Sequence, residues 1–173
     1  MATYPRIEVS VDVVALTMVE GNLHALLVRR GRPPFAGRWA LPGAWLEVDE
    51  DLGPAAAREL HQQTGIALHP DELRQLGAYG DLHRDPRRRV VSIAHLAEIE
   101  RHIDPEAGAG AVAAAWVPVA DVLAAGAEPM AFDHVEHLRD GVRASRWSQR
   151  AASWERPEPE VGSWPEESWG ERG

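Results

Sequence analysis

Between residues 7 and 66 the hydrophobic period of this chain changes, which restricts it to folds where sheet and helix share one core. Ile7, Val9, Val11 and Val13 alternate with polar residues, and Val14-Ala15-Leu16 runs on as an unbroken apolar stretch. A second run, Leu23 to Val28, follows Glu20-Gly21-Asn22. Alternation, a turn with glycine and asparagine, and a second apolar run predict a β-hairpin. Gly31 to Gly37, with Pro33 and Pro34, reads as a loop. From Asp51 to Thr64 the period becomes helical, with Asp51 as N-cap, Pro54 in the first turn and Gly65 as the stop. Ala57, Leu60 and Thr64 share one face of that helix, while Arg58, Glu59, Gln62 and Gln63 form a polar stripe on the other.

Strand-like runs return at residues 89–99 and 112–117. Residues 118–123 predict a short helix, and Phe132 to about Trp147 a longer one with Asp133 near its start. Strands before, between and after two main helices predict an α/β (α+β) protein, a mixed sheet with helices packed on it. Residues 1–150 read as one domain and residues 151–173 as a tail of another kind, with six Glu, two Arg and three Pro. That composition favours a solvated segment. Its three tryptophans, Trp154, Trp164 and Trp169, leave docking on the domain or a partner as the alternative.

Composition excludes several kinds of chemistry. With no cysteine there is no disulfide framework, thiolate zinc site, iron–sulfur cluster or thiol nucleophile. All 18 basic residues are arginine, so Schiff-base and P-loop-lysine mechanisms are excluded as well. A net charge of −9 argues against direct nucleic-acid binding, for which a basic footprint is expected. No apolar run approaches the ~20 residues that span a bilayer, and the first residues lack a signal-peptide core. The expectation is a cytoplasmic protein, not associated with membranes, that binds a nucleotide-type small molecule.

The chemistry concentrates in two stretches, residues 41–50 (Leu-Pro-Gly-Ala-Trp-Leu-Glu-Val-Asp-Glu) and 58–66 (Arg-Glu-Leu-His-Gln-Gln-Thr-Gly-Ile). They resemble the signature of the Nudix hydrolase superfamily: Gly, five residues, Glu, seven residues, Arg-Glu, aliphatic, any, Glu-Glu, any, Gly, aliphatic. Glu50, Arg58, Glu59, Leu60, Gly65 and Ile66 match at the right spacing. Ala44 stands where the first Gly belongs, although Gly43 precedes it, and Gln62 and Gln63 replace the paired glutamates. The lead-in at residues 37–43, Arg84-Asp85-Pro86-Arg87 and Ala131-Phe132-Asp133-His134 are similar to segments of the branch holding ADP-ribose pyrophosphatases and Nudix-type regulators of NAD metabolism.

The resemblance implies an α/β/α sandwich with helices on both sheet faces, a Mg²⁺ or Mn²⁺ cofactor, and a homodimer. It implies a metal site at Glu59 and Ala44 and a catalytic group of Glu59, Arg58, Glu50, Gln62 and Gln63. Trp45, Arg84, Arg87 and Arg89 then bind substrate, arginine forks suiting a diphosphate. Each has a plainer alternative. Arg58 and Glu59 could merely brace their helix through i,i+4 pairs, the arginines could line a solvated turn, and Trp45 could be core.

The two glutamines matter because Mg²⁺ prefers oxygen ligands, mostly carboxylates and water. Glutamine offers a neutral oxygen and cannot accept a proton, so cation affinity is expected to fall by at least ~10–100-fold. Glu47, Asp49, Glu50, Glu98 and Glu100 are the carboxylates that could compensate. His134 and His137 could form a metal pair, with capping or packing as the alternative, and His61 is phased away from Glu59. Three functions follow: a weak or repurposed pyrophosphohydrolase acting on an ADP-ribose-like compound, a ligand-binding sensor that no longer cuts and works through a protein partner, or reuse of the fold for other chemistry. The regulators of this branch carry a winged helix, for which the acidic tail leaves no room.

Overall fold

The structure, a computed structural model, describes residues 6–148, and the tail with its three tryptophans lies outside the described residues. Seven strands and three helices follow in the order β1 (Glu8–Val19), β2 (Asn22–Arg30), β3 (Trp39–Ala40), β4 (Gly43–Trp45), α1 (Leu52–Thr64), β5 (Leu73–Tyr79), β6 (Val90–Ile99), β7 (Ala111–Pro118), α2 (Val119–Leu123) and α3 (His134–Ala144). The predicted hairpin forms, but its turn is Glu20-Gly21, both with positive φ, and Asn22 already pairs with Val19. The two residues give the twist a tight hairpin needs, so asparagine belongs to the strand.

The sheet is mixed. Residues 8–17 of β1 run parallel to β6, whereas β1–β2, β2–β7 and β5–β6 are antiparallel. On its other edge β1 changes partner along its length. Ser10, Val11 and Asp12 pair with β4, and Leu16 to Val19 pair with β2. Beyond its pairing with β1, β2 pairs with β3 on that edge and with β7 on the opposite one. The sheet therefore forks between β1 and β2.

Helices cover both faces, because the strands are apolar on both. Val11, Val13 and Ala15 of β1 pack with Ala55, Ala56 and Leu60 of α1. Val14 and Leu16 point the other way and pack with Leu138 and Val142 of α3 and with Val119 of α2. Two-sided burial explains why the alternation in β1 gives way to a continuous apolar run. Among the described residues no helix is long and apolar enough to cross a membrane.

α1 begins and ends where its signals place it. Asp51 occupies the N-cap, although its side chain makes no capping bond, and Gly65 takes the left-handed conformation that ends the helix. The loop before β7 finishes that end: the amides of Glu106 and Gly108 donate to the carbonyls of Thr64 and Gln63 at 2.9 and 3.1 Å. α3 starts at His134 rather than Phe132, because Phe132 has a φ of +53°, incompatible with a right-handed helix.

Candidate functional site: a cleft at the fork of the sheet

The fork opens a cleft of about 230 Å³, bounded by β1 and β4 on one side, the end of β2 on another, and the loops at residues 84–87, 109–111 and 132–134. Two features aim side chains into it. Pairing between β2 and β7 shifts register between Arg29 and Arg30, which oppose Ala113 and Ala111, so Val112 is left over as a bulge. Gly43 backs so closely onto β1 that a Cβ there would collide with Asp12 Oδ1 and the Val11 carbonyl. Only glycine brings β4 this near.

The predicted catalytic group assembles along α1. Arg58 donates to both oxygens of Glu50 at 2.7 Å and also to Glu59 Oε1. This clamp raises the Arg58 pKa, through the Glu50 hydrogen bonds first, and lowers that of Glu50. Glu59 is buried. Gln63 Nε2 donates to Glu59 Oε2 at 2.8 Å and to the Gly43 carbonyl at 2.9 Å. Both partners only accept, so the amide nitrogen must face them. Gln63 lines the cleft.

Other predicted residues are placed differently. Gln62 is exposed and does not join the Glu59 group. Ala44 lines the cleft, but the carbonyl turned toward Gln63 and Glu59 is that of Gly43. Arg89 donates to the carbonyls of Gly80 and Asp81 and does not line the cleft. Arg84 is buried and clamped bidentately on Asp133 at 2.8–2.9 Å, so its fork is already occupied. Of the compensating acids, Glu98 and Glu100 bind Arg146 beyond α3, and Glu47 lies 3.9 Å from Arg58. His61 is exposed and turned toward the Gly65 carbonyl at 3.3 Å.

Arg87 and Trp45 do meet in the cleft, the guanidinium 4.9 Å from the ring centroid. Arg87 also donates bidentately to Asp85, at 3.0 and 2.7 Å. Asp85 itself is pulled up by burial and, more strongly in sum, down by its bonds to Arg87 and the charges of Arg87 and Arg84. Two cleft residues escaped the sequence reading. Arg30 is half-buried, 4.8 Å from the Phe132 ring centroid, and among the described residues its guanidinium donates to the carbonyls of Pro34 and Arg32. Burial, and then the neighbouring charge of Arg87, lower its pKa. Phe132 lies within reach of both guanidinium groups. An arginine pair ending the apolar run of β2 is the signal for Arg30, and Phe132 stands in the Ala131-Phe132-Asp133-His134 segment, which resembles a helix start rather than a wall of the cleft.

Beneath the cleft lies a buried polar layer around Asp12, a buried carboxylate in β1. Ser92 donates to Asp12, Arg84 sits 3.8 Å away, and His134 Nε2 lies 3.5 Å from Asp12 Oδ1. His134 Nδ1 accepts the Leu41 amide at 2.9 Å, which leaves the proton of the neutral ring on Nε2. Burial holds the His134 pKa down to about 4. Burial pulls Asp133 up, but His137 and Arg84 hold its pKa far below the usual range. His137 is packed against Tyr79, ring centroids 3.7 Å apart, rather than forming a metal pair with His134. Among the described residues, no three His, Asp or Glu side chains are disposed to hold a metal ion.

A mixed sheet with helices on both faces, and a helix carrying Arg58-Glu59 beside a cleft at the fork, define the class: residues 7–140 match the NUDIX domain, and the chain belongs to that family. It is 31% identical to the ADP-ribose pyrophosphatase of Methanocaldococcus jannaschii, over 73% of this chain and 70% of the relative. It is also 31% identical to the ADPR responsive transcriptional repressor NtrR of Acinetobacter baylyi, over 79% of this chain but only 53% of the repressor. In structure it resembles the NUDIX domain of Shewanella oneidensis NrtR in complex with ADP ribose, with TM-score 0.72, 30% identity, and coverage of 79% of this chain and 87% of that one.

Proposed function

We propose that the cleft holds a nucleoside diphosphate joined to a second group, a ligand of the ADP-ribose class, and that hydrolysis of its anhydride there is slow or absent. Arg30 carries the first half. Among the described residues no carboxylate lies within ion-pairing distance of it, although it is half-buried beside a second cation, Arg87. A half-buried cation on which Asp85 and Asp12 act only at a distance favours an anionic ligand. A diphosphate meets the Arg30 guanidinium with Arg87, itself bidentate on Asp85, adding charge beside it. Trp45 and Phe132 offer flat apolar faces for a base or sugar. The names of the archaeal pyrophosphatase and the repressor, and the ADP ribose in the Shewanella structure, support the same ligand class.

The second half rests on the donor set. A Nudix hydrolase uses a divalent cation to polarise phosphoryl oxygens and activate water. Here Glu59 has both oxygens engaged, Gln63 presents a donor, and Gln62 is neutral and exposed. These residues do not fit a hard dication, so no catalytic step is assigned to one. The chain's own groups bind and orient: Arg30 holds phosphate with Arg87 adding charge beside it, the Arg58–Glu50 clamp ties α1 to the segment before it, and Gln63 ties α1 to β4.

Titration calorimetry of the full chain with ADP-ribose, alongside chromatography of the nucleotide after prolonged incubation with Mg²⁺, tests both halves. Micromolar binding with intact ligand is expected. Absence of binding to ADP-ribose, NAD and nucleoside triphosphates alike would remove the proposal. Rapid turnover that disappears in Glu59→Gln would replace it with a pyrophosphohydrolase.

A further inference from the structure

The carboxylate of Glu59 and the carbonyl of Gly43 converge on a single atom, Gln63 Nε2, at 2.8 and 2.9 Å. We infer that the Gln63 amide stands in for a divalent cation between Glu59 and Gly43, so that the cleft takes a diphosphate ligand without metal. The inference rests on the proposed ligand class for its second clause only.

Three observations carry it. The first is chemical: an NH₂ group has two protons, and one goes to each acceptor, so the amide joins helix to strand as a bridging cation would. The second is the hydrogen bonding of the carboxylate behind it. Glu59 is 5% exposed, its other oxygen accepts from Arg58, and Arg58 is held by Glu50 on its far side. Neither Glu59 oxygen is therefore left without a donor, although Arg58 alone faces both Glu59 and Glu50. The third is placement. Gln63 lines the cleft and Glu59 does not, so a cation coming from the ligand's side meets the amide first. Nor can the Gly43 carbonyl turn elsewhere easily, since the strand is pressed against Asp12 and Val11.

Gln63→Glu supplies the decisive contrast. It keeps the size of the side chain, removes both amide protons, and sets a second carboxylate against Glu59 and the Gly43 carbonyl. That arrangement repels itself and calls for a cation. Two probes are used on the native chain and on Gln63→Glu: Mn²⁺ alone, followed by its paramagnetic resonance and by thermal melting, and ADP-ribose by calorimetry in EDTA or in Mg²⁺.

For the native chain, Mn²⁺ should bind no tighter than the millimolar range and leave the melting temperature unmoved. Its ADP-ribose affinity should agree within about twofold between EDTA and Mg²⁺, since no metal ligand is at stake. Gln63→Glu should melt lower in EDTA, recover with Mn²⁺, and bind Mn²⁺ at least ~10-fold tighter than the native chain. Micromolar Mn²⁺ binding by the native chain overturns the inference, as does a loss of ~10-fold or more in its ADP-ribose affinity on chelation. A folded Gln63→Glu that gains no Mn²⁺ affinity also overturns it. If that variant does not fold, the native Mn²⁺ titration decides alone. If ADP-ribose binds under neither condition, the proposed function fails, and the Mn²⁺ arms still decide whether the amide occupies the cation's place.

Discussion

The polar face of α1 and the arginine wall of the cleft are both charged, but they settle that charge in different ways. On α1 every strong group has a partner within the chain: Arg58 with Glu50 and Glu59, Glu59 with Gln63, Gln63 with Gly43. On the cleft wall Arg30, among the described residues, has two carbonyls and the Phe132 ring but no carboxylate in contact, and Arg87 shares Asp85 with the charge of Arg84. A group matched internally contributes to stability, while one left unmatched at the rim of a cavity contributes to binding. The same residue type therefore serves opposite ends in segments that the sequence alone made look equivalent.

Arg84 gives the largest test of this division, because it borders the cleft yet is fully paired. Arg84→Met strands Asp12 and Asp133 without their cation, and unfolding in urea should show a loss of about 3–5 kcal/mol. A loss under ~1 kcal/mol would mean the arginine is not holding the buried layer together.

Acid comes next. His134 is buried neutral with its pKa at about 4, below the ~6.5 of the unfolded chain, so between those values the unfolded state binds the extra proton. Its contribution is fully present above pH ~6.5 and is lost as pH falls toward ~4, on the order of 3 kcal/mol at most. Asp133 adds to the loss further down, since its depressed pKa stabilises the fold only above the unfolded value of ~4. Urea midpoints across this range should fall steadily, with His134→Asn flattening the upper part; a level profile would contradict the assignment.

Arg30→Ala should act on binding instead. Removing charge-assisted contacts worth ~1.5–3 kcal/mol predicts an ADP-ribose affinity ~10–100-fold weaker, with stability within about 0.5 kcal/mol of the parent. The reverse pattern, a large stability loss with binding intact, would place Arg30 with the structural arginines. Glu50→Gln should have the smallest effect, ~1 kcal/mol or less in unfolding and none on ligand affinity, since its clamp is partly exposed and faces away from the ligand. Calorimetry that finds weaker binding would put the clamp inside the site.

How far the sequence led depends on how local each feature is. β1, β2, α1 and β6 were readable because their apolar periods are buried in place, and β7 because its run of Ala, Val and Trp is unbroken although only half-buried. β5 was not: of its residues only Leu73 is buried, and as an edge strand it carries no clean alternation. The Arg58-Glu50-Glu59 group was readable because most of it lies on one helix and the residue just before it. The cleft positions of Arg30, Phe132 and Asp12 were not, since β2, the turn before α3 and the middle of β1 meet only through the sheet. Arg84 and Arg89 stood in one basic run with Arg87, but burial drew Arg84 onto Asp133, and Arg89 was taken by two carbonyls of its own loop.

The forked strand has one more consequence. Because the mouth between β1 and β2 is held open by paired β4 and β3, its width belongs to the resting backbone and is not created by an arriving molecule. Little chain freedom is left to surrender on capture, so association should proceed near the pace at which the reactants meet correctly oriented. Amide exchange in these strands should be equally slow with the cavity vacant or filled.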